Sequence, residues 1–252
     1  MNGTSRTPRP STGFLLPLLA IAGLCASEAQ IVLFKLDDVH GVYPHNQRVV
    51  DFALQEGIKI NFGVFGSALE KNPTAFVEWI TTLKKTGQFE FWNHAYGGFG
   101  HGKENEGTGY EAQLTAINRT QELSKTLLGE GFIGFGPHAG AMDADTWRVL
   151  NDHPEIKLVW GYKPPAGVTG NAFVVERKLN MENPTTKMNK VKFLEAYEAK
   201  GKDLEYISLQ GHPNAWDDDM FQQFKDVALF LKGRGCRFMT MTEFLATRPK
   251  QP

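Results

Sequence analysis

The sequence predicts an α/β fold, with strands and helices alternating and closing into a (β/α) barrel of about seven strands. Apolar runs of strand length recur along the chain, most of them followed by a segment of helical periodicity, which implies a mainly parallel sheet covered by helices. About seven such units succeed one another without an internal repeat or a low-complexity linker, which favours barrel closure over an open sheet. The composition, 41% hydrophobic and 12% aromatic over 252 residues, supplies a core of that size within one domain, set at 30–252.

Each element has its own signal. IVLFKLD (31–37) reads as the first strand, and NQRVVDFALQEG (46–57) as a helix closed by Gly57. IKINFGVFG (58–66) is the second strand. The segment 72–87 is the cleanest helix, with Asn72 as N-cap, Pro73 at the first position, Lys84 and Lys85 in the last turn and Gly87 beyond. FEFWNH (89–94) is the third strand. After a Gly-rich loop, Leu114, Ile117, Leu123 and Leu127 give 110–129 an amphipathic helical spacing. Strands are expected at 132–138, 156–162, 172–177, 204–212 and 236–241, and helices at 143–152 with Asp143 as cap, 187–201 and 217–235. Phe62, Phe65 and Phe89 read as core. The role of 163–187 is left open between lid, wall and loop.

The N-terminus has the form of a secretory leader. Arg6 and Arg9 precede the apolar run 13–26, and Ser27 and Ala29 stand at −3 and −1 of a small-residue cleavage site. The run is short of the roughly 20 residues of a membrane span, so an exported protein, periplasmic or extracellular, with 1–29 removed and no stable membrane span, is expected. Cys236 would then be the single cysteine, and a fold without internal disulfides rests on its core. The net charge of −1 offers no basic footprint for nucleic acid.

The informative residues lie where strands end. Asp37, Asp38 and His40 follow the first strand, His94 the third with His101 in the loop beyond, His138 the fourth, and His212 the strand 204–212. Five of the seven histidines thus gather at the carboxyl ends of strands, the face on which βα barrels carry their chemistry. Carboxylates mixed with imidazoles suit a divalent metal, zinc first, with cobalt, nickel or iron as alternatives, whereas calcium and magnesium prefer oxygen shells. A catalytic site of this kind uses three protein ligands and keeps a position for water.

The order of these motifs, 36-LDD-38, 89-FEFWNHAY-96, the Gly-Pro turn at 136–137 and 207-ISLQGHPNAW-216, resembles the polysaccharide deacetylases of the NodB-homology, carbohydrate esterase family 4 group over about 30–247. The resemblance implies a distorted (β/α) barrel and metal-dependent removal of N- or O-linked acetyl groups from a carbohydrate polymer. It implies Asp37 as catalytic base, Asp38 and His94 as metal ligands and His212 as the catalytic histidine. The first motif departs from the usual TFDDG at Lys35 and Val39. The family's second histidine ligand follows the first by four residues; here that position is Gly98, and His101 is the candidate third ligand. The family's third motif carries an arginine that pairs with the base; 134–140 has none, and His138 is the nearest substitute. Trp92, Trp160 and Trp216 are candidates for sugar stacking beside His138, with core packing as the alternative for each. Two other functions stay open: an exported carbohydrate-binding relative that has lost catalysis, and a metal-dependent amidase acting on a non-glycan amide.

Overall fold

The computed structural model describes Met1, Gly3 and residues 29–71, 73–98, 102–140 and 142–249. The leader, apart from Met1, Gly3 and Ala29, the cap at Asn72 and the ligand at His101 lie outside these residues. Among the described residues no helix is long and apolar enough to cross a membrane.

Among the described residues eight parallel strands form a single curled sheet: β1 (Ile31–Val39), β2 (Ile60–Val64), β3 (Phe89–Asn93), β4 (Gly134–Phe135), β5 (Leu158–Trp160), β6 (Phe173–Val175), β7 (Tyr206–Gly211) and β8 (Arg237–Phe238). Their order is β6-β5-β4-β3-β2-β1-β7, with β8 paired to the start of β1. This is the expected distorted barrel. Among the described residues no ladder joins β6 to β7, so the cylinder has a seam. Side chains cross it: Arg177 donates to Gln210 Oε1, and both Phe173 and Tyr206 meet the Phe244 ring edge to face.

The helices are α1 (Pro44–Glu56), α2 (Gly66–Lys71), α3 (Pro73–Lys85), α4 (Tyr110–Leu128), α5 (Ala144–Asn151), α6 (Lys190–Ala196), α7 (Asp218–Gly233) and α8 (Met241–Ala246). Gly57 and Gly129 end α1 and α4 in the left-handed conformation that glycine adopts without strain. Asp143 caps α5 as expected, and Thr146 completes a reciprocal capping box. The helix expected over 187–201 starts later, at a cap supplied by Asn189, and its last turn (197–201) is wound more widely. The strand expected over 58–66 stops at Val64, because Gly66 already opens α2. The strand expected over 236–241 is only two residues long. Thr240 and Glu243 form a second capping box and start α8, which the apolar character of the segment conceals.

Strand alternation sorts the core. On β1, Val32, Phe34 and Leu36 pack outward in a cluster that includes Val49, Ile80 and Phe224 from α1, α3 and α7. Ile31 and Leu33 point into the lumen and pack with Trp92, Leu158, Trp160, Met241 and Phe244. The lower barrel is therefore filled with side chains, and α8 supplies two of them. Lys35 and Asp37 continue the inward register, so the lumen turns from apolar to charged within one strand.

Trp92 lies at this boundary and needs a glycine opposite it. A Cβ on Gly63 would come within 2.4 Å of the indole. Since Trp92 is fully buried, Gly63→Ala is expected to destabilise the fold by about 1–3 kcal/mol through overpacking. A urea denaturation midpoint equal to that of the unsubstituted protein would show that the lumen yields at this point.

Candidate active site

Adjacent residues on a strand normally face opposite ways, yet Asp37 and Asp38 both reach the cavity at the barrel mouth. The β1–β2 register shifts between Leu36 and Val39, and Asp38 has φ 67°. This bulge turns the second carboxylate back toward the first. The cavity holds ≈ 650 Å³ and is lined by Asp37, Asp38, His94, His138 and His212 among others.

His94 follows β3 in register with Trp92, on whose ring it rests edge to face. Its Nδ1 donates to the Gly136 carbonyl at 2.8 Å, and its Nε2 lies 3.2 Å from Asp38 Oδ1 and 3.8 Å from Asp37 Oδ2. His138 Nε2 is 3.9 Å from Asp38 Oδ1, and its ring meets those of His94 and Phe65 edge to face. His212 Nε2 is 3.9 Å from Asp37 Oδ2. The structure thus brings Asp37, Asp38, His94, His138 and His212 together. His40 turns away: its Nδ1 donates to the Asp38 carbonyl, and its ring packs on Tyr43.

Asp37, 2% exposed, is held by its own strand. Lys35 Nζ lies 2.7 and 2.6 Å from its two oxygens, and Gln210 Nε2 donates to Oδ2 at 2.7 Å. These contacts use three of roughly four acceptor positions on a carboxylate, leaving one for a further proton donor. Gln210 and His212 share a face of the chain because they are two residues apart on an extended strand.

His212 is oriented by Glu182, a residue that sequence reasoning missed. Glu182 Oε2 accepts from His212 Nδ1 at 2.6 Å, and Oε1 accepts from the His212 backbone N–H at 2.8 Å and from Trp216 Nε1 at 2.7 Å. Glu182 lies in 163–187, which resolves as a cavity wall carrying Glu176, Arg177, Thr185 and Thr186. The readable hint was an acidic residue followed by Asn-Pro after an apolar Met181, a weak turn signal.

The tryptophans need correction. Trp92 (0% exposed) and Trp216 (5%) are buried packing residues that offer no stacking face. Trp92 lies beneath Lys35 and His94, and Trp216 stacks on Phe224 while donating to Glu182. Trp160 borders the cavity but is 1% exposed and belongs to the lumen core.

Charge follows from these contacts. Burial pushes the Asp38 carboxyl up, but the His94 hydrogen bond and the His94, His212 and His138 charges pull it below its usual range. Burial pushes His138 down, toward the neutral imidazole, and the nearby His94 adds to this. Burial also disfavours charged His212, yet the Glu182 hydrogen bond, Asp37 and Asp38 outweigh it and raise its pKa.

The donor set fits a divalent cation. With Nδ1–H given to a carbonyl, neutral His94 aims the Nε2 lone pair at an Asp38 oxygen 3.2 Å away. Two acceptors so placed repel unless a cation lies between them, either a proton on His94 or a metal. Ligand atoms bound at about 2.0–2.2 Å to one zinc ion sit roughly 3–3.5 Å apart, which matches this separation. Among the described residues no three His, Cys, Asp or Glu side chains form a ready metal cage. Asp38 and His94 place two donor atoms 3.2 Å apart.

No known protein-family model matches the sequence, and no curated protein matches it either. Solved structures do match its fold. A peptidoglycan N-acetylglucosamine deacetylase superposes with a TM-score of 0.64 at 15% identity, over 89% of this chain and 92% of that one. A family 4 acetyl xylan esterase from Clostridium thermocellum, solved with a cobalt ion, gives 0.62 at 16% identity, over 86% and 91%. A CE4 family pseudoenzyme from Bacillus anthracis gives 0.60 at 12% identity, over 86% of this chain, which spans 66% of the pseudoenzyme's length. The fold is therefore that of the carbohydrate esterase family 4 deacetylases, the NodB-like barrel.

Glu182→Gln keeps an acceptor beside His212 and removes its charge. The His212 pKa is expected to fall, so the imidazolium is lost at lower pH. Its stabilising contribution is present below the ordinary histidine pKa and fades as pH rises through the raised value; the variant loses that upper part. Imidazole proton NMR across a pH titration checks this, and an unmoved His212 midpoint would contradict it.

Proposed function

We propose that the chain is a metal-dependent hydrolase that removes acetyl groups, N- or O-linked, from a carbohydrate polymer. The observation that carries this is the convergence of Asp37, Asp38, His94 and His212 on one cavity at the carboxyl ends of the strands of a deacetylase-type barrel. Asp38 and His94 would hold the metal, with His101 as the third ligand and zinc as the first choice of ion. A cation held there supplies Lewis acidity toward the acetyl carbonyl and lowers the pKa of water.

The remaining steps belong to the protein. Asp37 takes the proton of the attacking water through its one open acceptor position. His212, whose pKa Glu182 raises, presents Nε2 on the cavity side, 3.9 Å from Asp37, and in its protonated form delivers that proton to the departing amine or hydroxyl. Their environments divide the labour: Asp37 is held by one ammonium and one amide donor, and His212 by a carboxylate.

The fold relatives support the substrate class, since a peptidoglycan N-acetylglucosamine deacetylase and an acetyl xylan esterase are among them. Glycine at 98 favours a second reading, an impaired carbohydrate-binding relative, and a pseudoenzyme shares the fold. A Cβ at Gly98 would press on the Phe65 ring at 2.5 Å, so that position holds no ligand.

Purified protein is expected to contain about one divalent ion per chain. Asp38→Ala and His94→Ala should lose it, which elemental analysis measures. Asp37→Asn should keep the metal and lower acetate release from acetylated chitooligosaccharides or xylan by about 10²-fold or more. A folded, metal-loaded protein that releases no acetate from such a panel would exclude the deacetylase reading. Glycan binding by that protein would then favour the impaired relative.

A further inference from the structure

We propose that Lys35 is the positioning residue of this site, the cation that fixes Asp37 for proton transfer; the inference rests on the deacetylase reading above. Strand geometry places it there. Lys35 and Asp37 are two residues apart on β1, so both face the lumen and the lysine lies directly beneath the carboxylate. Its ammonium reaches both carboxylate oxygens, at 2.7 and 2.6 Å. From below, the ammonium is supported by the Trp92 ring at 4.7 Å, a cation–π contact in a site where Lys35 is only 8% exposed.

Burying a lysine is costly, and a neutral residue would pack on Trp92 at less expense. Asp37 explains its presence. Two adjacent carboxylates turned to one cavity repel, and the ammonium leaves the trio of Lys35, Asp37 and Asp38 with one net negative charge in place of two. Among the described residues no other lysine or arginine comes within 4 Å of Asp37. The nearest guanidinium, Arg177, acts at one remove: it donates to Gln210 Oε1, and Gln210 Nε2 donates to Asp37 Oδ2. The β4 segment 134–140 contains no arginine to take this place. Held from below by Lys35 and from the side by Gln210, the carboxylate keeps its remaining acceptor position open to the cavity.

The test is a double-substitution cycle with Lys35→Met and Asp37→Asn, read in two ways. For acetate release, Lys35→Met should lower kcat by about 10²-fold, the cost of a small misplacement of a reacting group, with KM and metal content near those of the unsubstituted protein. In the Asp37→Asn background the same change should have no further effect on kcat, because the lysine acts only through the carboxylate. In thermal unfolding, Lys35→Met leaves a buried carboxylate without its counter-charge and should lower the midpoint by roughly 5–10 °C. The double variant, neutral at both positions, should recover most of that loss. An unchanged kcat in folded, metal-loaded Lys35→Met, or an equal fall in kcat in both backgrounds, overturns the proposal. If the unsubstituted protein releases no acetate, the deacetylase reading fails, and the unfolding cycle still decides the Lys35–Asp37 coupling: coupled midpoints support it and additive ones overturn it.

Discussion

A carboxylate taken out of water must be met by positive charge or hydrogen bonds, and this requirement organises the mouth of the barrel. Asp37 meets it with Lys35 and Gln210, and Asp38 with His94. Glu182, also buried, meets it with His212, Trp216 and two backbone amides. Each acid has a different kind of partner, and the difference separates their chemistry. The carboxylate facing an ammonium accepts from Lys35 and Gln210. The one facing an imidazole nitrogen shares a proton or another cation with it. The one bonded to the far side of an imidazole raises the pKa of that ring.

The apolar lumen makes these pairings stringent. Trp92, Trp160, Met241 and Phe244 fill the barrel from below, and the charged cavity lies above them. Trp92 is the hinge between the two regimes: its edge meets His94, its face carries Lys35, and its Nε1 donates to the Asn61 carbonyl. Of the two roles open to Trp92, sugar stacking and core packing, the structure gives it the second, as the floor of the site. An aromatic residue at a strand end reads the same from sequence whether it points up to solvent or down into the lumen. Only the register, which sets Trp92 two residues before His94, tells them apart.

Much of the architecture was legible because periodicity is a local property. All eight strands lie within the expected segments or, for β1, extend beyond one, and the glycine stops at 57 and 129 and the Asp143 cap hold. The elements missed, α2 and α8, are short helices that begin on the last residue of a segment that reads as strand, and at α8 a T-x-x-E box was the signal passed over. In the site, the residues at strand ends were findable because chemistry in this architecture concentrates there. Glu182 was not, because it comes from an irregular segment and acts across the barrel through His212. Lys35 was visible only as a departure from a motif. Its partner two residues on could have been paired with it by strand alternation alone.

The seam between β6 and β7 sets how this mouth can move. A cylinder closed all the way round by main-chain ladders widens only by unzipping one of them. Here Arg177, Gln210, Phe173 and Tyr206 span the gap with side chains alone. Side-chain contacts of this kind rearrange by rotamer changes, which belong to the fast end of protein motion, without breaking a strand ladder.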